Sequence, residues 1–264
     1  MTPILHSHLP HTPWGHPATR RLPGIQPLDP ADWLRVDEAY GGQMALREQL
    51  IADRLPVVHA LDPAALPAGQ ELLERVLTDL PRLGFEIGPH DIRCPDGRVV
   101  PCDRGRPLIT LGRLCQQDFC LMQKRGTQHV LTGAILCFPA SWTLAEKFLR
   151  PMTGIHAPVD VYDHDLARRV QRMFDMIRPE QPLWRANALL YENPDLHSPR
   201  TEAAPRIPPS GPAPFLRSER QCLLRLPVTD AVVFSIHTYL IHIASLSVEQ
   251  RVALGEHPLH RVNG

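Results

Sequence analysis

The sequence lacks several features that would assign its class at once. No apolar run approaches the length of a membrane span, and 28 Lys and Arg residues balance 28 Asp and Glu residues. The balanced charge gives no basis for binding nucleic acid or a membrane surface. The N-terminal segment "MTPILHSHLPHTPWGHPATRR" has neither a charged lead nor a continuous apolar core, which excludes a secretory signal. We therefore expect a soluble, cytoplasmic chain.

Motifs for several common cofactors are missing as well. The six cysteines form no C-x-x-C and no C-x-x-C-H, which argues against a zinc ribbon, a thioredoxin-type pair and covalently attached haem. Neither G-x-G-x-x-G nor a P-loop occurs, so we do not expect this chain to bind a nicotinamide dinucleotide itself. Since H-E-x-x-H is also missing, a zinc hydrolase is disfavoured.

Composition divides the chain into three parts. Residues 1–30 carry seven prolines and four histidines, which predicts an extended arm because proline lacks the amide donor of helices and central strands. Residues 31–110 contain "QMALREQLIADR" and "QELLERVLTDLPRLG", whose apolar residues recur at helical spacing. We predict that this helical region packs on a core formed by residues 111–264.

The sequence pattern of the core predicts strands and helices in a definite order. Two apolar strands, joined by a hairpin at residues 125–127, precede a helix "TLAEKFLR" capped by Thr143 and ended by Gly154. A second helix starts at Asp163 or Asp165, and three strand-like runs follow, with a proline-rich surface loop at 198–214 inside them. This order predicts an α+β fold with a PAS-like antiparallel sheet, preceded by an N-terminal helical extension.

Four stretches of the core resemble a known family, the haem-binding subunit of haem-dependent oxidative N-demethylases (dimethylamine monooxygenases). They are "LCFPASW" (136–142), "IHAPV" (155–159), "LWRAN" (183–187) and "LRSERQCLLRLPVTDAVVFSIHTYL" (216–240). The resemblance implies non-covalent haem b in the PAS-like core. It also implies oxygen-dependent removal of a methyl group from a small secondary amine, giving formaldehyde and the shorter amine. One departure from the family pattern is Ala188, where an aromatic residue is expected after Arg-x-Asn.

The resemblance also implies partners. An oxygenase without its own reductase domain must receive electrons from another polypeptide, here a flavin-containing, NADPH-dependent reductase subunit. A folate-dependent subunit would take up the formaldehyde.

Two histidines are candidates for the haem iron. His156 lies in a matched stretch, where PAS-type haem proteins place the helix-side ligand, and Asp160 or Asp163 could anchor its second nitrogen. The competing interpretation of His156 is a turn residue bound to a nearby carbonyl. His237 is the second candidate, since strand alternation places it opposite Phe234 and the sequence does not decide which sheet face holds the haem.

Charged residues of the last strands are candidates for the cofactor and the substrate. Arg217, Arg220 and Arg225 could pair with haem propionates, as could Arg185, although a solvated strand face explains such arginines equally well. Glu219 could hold an alkylammonium ion or deliver protons to bound oxygen, and a salt bridge to a neighbouring arginine is its alternative role. His197, beside the proline-rich loop, is expected at the surface.

Two other functions remain open at this stage. One is a haem or small-ligand sensor built on the same PAS-like core. The other is a non-catalytic interaction subunit that has lost the haem.

Overall fold

A computed structural model describes residues 2–15, 17–20, 24–156, 164–204, 206, 207, 209 and 211–259, and the side chains of residues 156 and 164–167 lie outside this description. The helices within these ranges are α1 Pro17–Arg20, α2 Tyr40–Val58, α3 Leu66–Asp79, α4 Pro107–Leu114, α5 Leu144–Lys147, α6 Met152–His156, α7 His164–Met176 and α8 Val248–Glu256. The strands are β1 Gln26–Pro27, β2 His59–Leu61, β3 Glu86–Ile87, β4 Asp91–Arg93, β5 Val99–Pro101, β6 Asp118–Arg125, β7 Gln128–Ile135, β8 Leu183–Tyr191, β9 Phe215–Arg225 and β10 Val232–His242. The predicted α+β class is confirmed.

Seven strands form the main sheet in the order β1-β8-β9-β10-β6-β7-β2, and every neighbouring pair is antiparallel. The five central strands come from residues 118–242, whereas the N-terminal third supplies a short strand at each edge. A separate three-stranded sheet, β3-β4-β5, lies between α3 and α4 in the sequence. Of the described residues, no helix is long and apolar enough to cross a membrane.

The locally encoded turns are found where the sequence predicts them. The β6–β7 hairpin turns at Gly126, whose φ of 61° suits glycine. Pro95-Asp96-Gly97 likewise predicts a hairpin turn, and Gly97 lies between β4 and β5 with a φ of 85°. The helical stripe of α3 is also confirmed, because Leu72, Leu73 and Val76 are fully buried.

Two element assignments from the sequence are wrong. The strand character predicted from residue 111 begins only at Asp118, since Pro107–Leu114 forms α4. The helix predicted for residues 143–150 ends at Lys147, and Leu149 adopts a positive φ of 59°. Pro151 disfavours helical geometry at the residue before it. Gly154 therefore lies inside the separate short helix α6 rather than ending the first one.

The main sheet is covered on both sides. On one side, Phe119 and Leu121 of β6 pack with α2, α3 and α4, and we call this side the α4 face. On the other, Cys120 and Met122 of β6 share a cluster with Phe174 of α7, and we call this side the α7 face. The α7 face also carries α5 and α6, so the segment that contains His156 lies on it.

A buried ion pair fixes the α4 face to the start of β6. Arg47 Nη1 of α2 lies 2.7 Å from Asp118 Oδ1, and the two side chains are 0% and 1% exposed. The same carboxylate accepts hydrogen bonds from the backbone N–H groups of Cys137 and Phe138 at 2.7 and 2.8 Å. Asp118 thereby joins α2, β6 and the chain that leaves β7.

Candidate functional site

A polar group occupies the α7 face where three strands run side by side. The register pairs Asn187 of β8 with Glu219 of β9, and Glu219 with Thr238 of β10. Two residues further along the strands, Arg185 pairs with Gln221. Because side chains alternate along a strand, all five point to the same side of the sheet as Leu223 and Phe234.

Glu219 is oriented by two amide side chains. Its Oε2 atom accepts hydrogen bonds from Asn187 Nδ2 at 3.1 Å and from Gln221 Nε2 at 3.0 Å. Asn187 Oδ1 in turn accepts from the backbone N–H of Glu219 at 3.0 Å. The other carboxylate oxygen, Oε1, lies 3.5 Å from Arg217 Nε, and the Glu219 side chain is only 12% exposed. The carboxylate is thus held in one orientation, with Oε2 bound by two amides and Oε1 facing the Arg217 guanidinium.

Several buried polar atoms of this region have no hydrogen-bond partner within the described ranges. They are Arg185 Nε, Arg217 Nε, Thr238 Oγ1 and Tyr191 Oη. Burial lowers the pKa of Arg185, and the charge of Glu219 acts in the opposite direction. Because buried polar groups are normally paired, unpaired donors beside an apolar surface indicate a site for a ligand with acceptor atoms.

His197 lies beside this region, and one of its ring nitrogens is held by a backbone carbonyl. Its Nδ1 atom lies 2.8 Å from the carbonyl oxygen of Cys137, which can only accept, so Nδ1 carries the proton. In the neutral imidazole Nε2 is therefore the nitrogen with the lone pair, and it is buried without a partner among the described residues. The adjoining Leu196 carbonyl accepts from Arg217 Nη1 at 2.9 Å, which places His197 beside Arg217. We expected His197 at the surface, but its Nε2 atom is buried.

His156 ends α6, and its side chain lies outside the described part of the chain, as do Asp160 and Asp163. Its neighbour Ile155 packs against the apolar cluster of the α7 face. The Ile155 carbonyl accepts from Lys147 Nζ at 2.7 Å, and the same nitrogen contacts Glu202 Oε1 of the proline-rich loop at 2.9 Å. Lys147 thus connects α5, α6 and that loop.

His237 lies on the α4 face, away from Glu219. Its Nδ1 lies 2.9 Å from Gln117 Nε2, and its Nε2 lies 2.8 Å from Asp37 Oδ2. Asp37 Oδ2 also lies 3.1 Å from His6 Nε2. In the described ranges, His6, Asp37 and His237 are the one group close enough to hold a metal ion.

The tautomers of this group argue against a metal ion. Gln117 donates one amide hydrogen to the carbonyl of Arg35 at 3.0 Å, which orients its NH2 group towards His237 Nδ1. The backbone N–H of Leu240 donates to His6 Nδ1 at 3.2 Å. The His237 imidazole therefore carries its proton on Nε2 and donates it to Asp37, which leaves no lone pair there for a metal. His6 Nδ1 also lies 3.3 Å from the Leu240 carbonyl oxygen, so the contacts of His6 allow either tautomer.

The remaining arginines are separated from Glu219. Arg220 lies on the α4 face, where its Nη2 contacts Asp32 Oδ2 at 3.0 Å and its guanidinium lies 5.2 Å from the centre of the Trp184 ring. Arg225 donates to the carbonyl oxygen of Ile177, just beyond α7, at 2.7 Å. Of the sequence candidates, the structure brings together Arg217, Glu219 and Arg185.

Sequence patterns could not locate the partners of these residues. Asn187 and Gln221 lie inside two of the stretches that resemble the family, but only the β8–β9 register shows that both hold Glu219. The unprotonated nitrogen of His197 depends on Cys137, sixty residues earlier in the chain.

Comparison with known families identifies one match. The family described as haem-dependent oxidative N-demethylase, alpha subunit-like, matches residues 24–256. The match includes α5, α6, α7 and all five central strands, and therefore the whole polar group around Glu219. It covers more than half of the chain, so the protein belongs to the haem-dependent oxidative N-demethylase alpha-subunit-like family.

Proposed function

We propose that this protein is the haem-binding subunit of a monooxygenase that removes a methyl group from a small secondary amine such as dimethylamine. The observation that carries the proposal is the buried Nε–H donor of Arg185, which has no partner among the described residues and lies beside an apolar sheet face. The family membership supplies the reaction class.

The residues of the α7 face fit haem b. A haem combines a large apolar ring with two carboxylates, and Phe234, Ile236 and Leu223 provide the matching apolar surface. Arg185 would pair with a propionate, because a guanidinium group donates to a carboxylate in a planar, bidentate manner. Arg217 already donates to the carbonyl oxygens of Leu196 and Phe138 and lies beside Glu219, so it would hold the neighbouring chain in place. When bound, the haem supplies the oxygen chemistry, and the protein supplies binding and orientation.

We propose His156 as the iron ligand, since it ends the helix that packs on this face. His197 is a second candidate within the same region. Its Nδ1–H is anchored by a backbone carbonyl and its Nε2 is unprotonated, which is the arrangement that metal-ligating histidines adopt.

Glu219 would act on the amine. A dialkylammonium ion offers N–H donors and a positive charge, and Glu219 Oε1, which faces Arg217 Nε at 3.5 Å, offers the complementary acceptor. Asn187 and Gln221 would keep the carboxylate aimed while the methyl group reacts. The same oxygen could release or take up a proton during the reaction.

Arg220, Arg225 and His237 have other contacts, and their proposed roles change accordingly. Arg220 and His237 would stabilise the α4 face, and Arg225 would hold the C-terminal end of α7. The antiparallel central strands with α5–α7 between β7 and β8 support the PAS-like interpretation. Electrons would come from a separate flavin- and NADPH-dependent reductase subunit, and a folate-dependent subunit would accept formaldehyde.

The test is the ultraviolet–visible spectrum of the full chain produced with haem supply, for the wild type, His156→Ala and His197→Ala. The wild type should show a Soret band, and loss or a strong shift in His156→Ala identifies the ligand. A shift in His197→Ala alone would assign the iron to His197. No Soret band in any of the three proteins overturns the haem proposal. Amine-dependent oxygen consumption with a reductant then separates an oxygenase from a sensor.

A further inference from the structure

The outer surface of α7 carries cations that the described part of the chain does not neutralise. Arg169 and Arg172 lie three residues apart on this helix, and both are exposed. Arg178, just beyond the end of α7, is exposed as well. None of the three has a carboxylate partner among the described residues. Because Arg169 and Arg172 are neighbours on one helix face, their like charges repel each other.

Several other exposed cations of the protein are paired. Asp175 of α7 lies 2.6 Å from Lys124 Nζ of β6, so this acid of the same helix is already engaged. Four exposed arginines elsewhere lie beside acidic side chains, in the pairs Arg75–Asp79, Arg93–Glu86, Arg104–Glu74 and Arg125–Asp62. Since basic and acidic residues are equal in number over the whole chain, the arginines of α7 form a local positive region on a balanced protein.

An exposed methionine continues the same helix face. Met176 lies four residues after Arg172 and is 62% exposed. The opposite side of α7 is buried, since Phe174 belongs to the apolar cluster of the sheet and Val170 packs against that cluster. We call Arg169, Arg172 and Met176 the α7 stripe. Arginine and methionine are both enriched in the interfaces between proteins.

The α7 stripe suits an acidic protein better than it suits other polyanions. A helix that binds a membrane surface inserts its apolar face into the lipid, whereas the apolar face of α7 is occupied by the sheet. A nucleic acid requires a track of cations along its phosphates, and the balanced charge of this chain provides no basis for one. Carboxylates on a protein surface would pair with the guanidinium groups, and apolar atoms of that surface would cover Met176.

The position of the stripe relates it to the proposed haem. α7 covers the side of the sheet on which Arg185 and Glu219 lie, whereas α2, α3 and α4 cover the other side. Electron transfer between two proteins requires their cofactors to be close together, so a donor must dock on the side that holds the haem. Encounters between redox proteins use small, transient interfaces, and a short stripe on one helix fits such a contact.

We propose that the α7 stripe docks an acidic surface of the protein that donates electrons to this chain. The electron-donor role of the partner rests on the proposed haem function, whereas the acidic character of the partner rests on the stripe alone. Arg169 and Arg172 form ion pairs with carboxylates of the partner, and Met176 packs between them and the partner surface. One electron passes across this contact, and no bond forms or breaks. Opposite charges accelerate the encounter, and added salt slows it.

Biolayer interferometry on the full chain tests the chemistry of the partner with three probes. Flavodoxin is a small acidic flavin protein, cytochrome c is a basic redox protein, and oligo(dT) is a polyanion without a protein surface. We expect flavodoxin to bind at low ionic strength and to lose about tenfold in affinity at about 0.15 M salt, because salt screens exposed charges. No binding of flavodoxin, equal binding of cytochrome c, or tighter binding of oligo(dT) overturns the proposal.

Two double variants locate the contact. Arg169→Glu with Arg172→Glu should weaken flavodoxin binding about tenfold, because two attractive contacts become repulsive. Arg54→Glu with Arg106→Glu is the matched control, since it makes the same change in net charge at exposed arginines outside α7. This control should bind flavodoxin almost as the wild type does. An equal loss in both double variants, or no loss in the first, overturns the stripe as the docking site.

The haem proposal and the docking proposal fail separately. Flavodoxin binding through the stripe in a protein without a Soret band would overturn the haem proposal and the electron-donor role, and it would leave the acidic partner in place. A normal Soret band without flavodoxin binding would overturn only the docking proposal. In protein with a Soret band, reduction by reduced flavodoxin should slow about tenfold in Arg169→Glu with Arg172→Glu. An unchanged rate despite weaker binding would overturn the electron-donor role.

Discussion

Lys147 Nζ lies 2.7 Å from the carbonyl oxygen of Ile155, the residue that precedes His156. The Lys147 side chain is 6% exposed and also contacts Glu202 Oε1 at 2.9 Å. A single ammonium group therefore joins the helix of the proposed iron ligand to the proline-rich loop. We infer that Lys147 positions α6 on the sheet.

Replacing this lysine should disturb the proposed haem site from a distance. We expect Lys147→Met to shift or broaden the Soret band, because the Ile155 carbonyl loses its buried donor. Arg150→Met is the matched control, since Arg150 contacts the same Glu202 oxygen at 3.2 Å and is 48% exposed. Identical spectra for both variants and the wild type would contradict a positioning role.

Arg185 should control haem retention. We expect Arg185→Met to release haem about tenfold more readily to a scavenger protein, which corresponds to one charge-assisted hydrogen bond. Arg220→Lys should retain haem like the wild type, because Arg220 lies on the α4 face with Asp32. If Arg220→Lys loses haem faster than Arg185→Met, the cofactor lies on the α4 face instead.

Glu219 should matter for turnover and not for haem binding. We expect Glu219→Gln to keep the Soret band and to lower kcat/KM for the amine about a hundredfold, within the range for a lost general acid or base. Gln221→Met is a useful companion, since it removes one of the two amides that orient the carboxylate. Normal kcat/KM in Glu219→Gln would exclude a catalytic role.

The buried pair of Arg47 and Asp118 should dominate the stability of the α4 face. We expect Asp118→Leu to lower the free energy of unfolding by about 3–5 kcal/mol, because Arg47 would stay buried without its partner. Denaturant unfolding measures this loss. The double variant Arg47→Met with Asp118→Leu should recover part of it, and no recovery would contradict the pairing.

Asp37 should make stability depend on pH. Burial raises the pKa of its carboxyl, but hydrogen bonds from His237 and His6 outweigh burial and hold this pKa well below its usual range. The Asp37 carboxylate therefore stabilises the folded protein at a pH above the pKa of this group in the unfolded state, about 3.9. This stabilisation is lost as the pH falls towards the pKa of Asp37 in the folded state. The difference in unfolding free energy between the wild type and Asp37→Asn should shrink between pH 6 and pH 2. A constant difference would contradict this assignment.

The sequence predicts those parts of the fold that are encoded locally. The hairpins at Gly97 and Gly126 and the stripe of α3 depend on residues within a few positions of one another. In contrast, Pro107–Leu114 is almost continuously apolar, and such a short run does not distinguish a helix from a strand.

The candidate site depends on contacts that no local pattern contains. Asn187 and Glu219 become neighbours only through the β8–β9 register, across a long proline-rich connection. The choice of sheet face for His237 depends on Asp37, two hundred residues earlier. The residue types of the site could therefore be proposed from the sequence, whereas their grouping required the fold.

The two outermost strands of the main sheet have a consequence for how copies of this protein meet. β1 has two residues, one of them Pro27 without an amide hydrogen, and β2 has three. Such short edge strands leave few unpaired backbone groups with which another molecule could extend the sheet. Long exposed edge strands, in contrast, are the usual starting point of aggregation. Trimming the N-terminal segment that supplies them would uncover β7 and β8, each of which has eight or nine residues. A chain that lacks this segment should therefore self-associate more readily than the full chain.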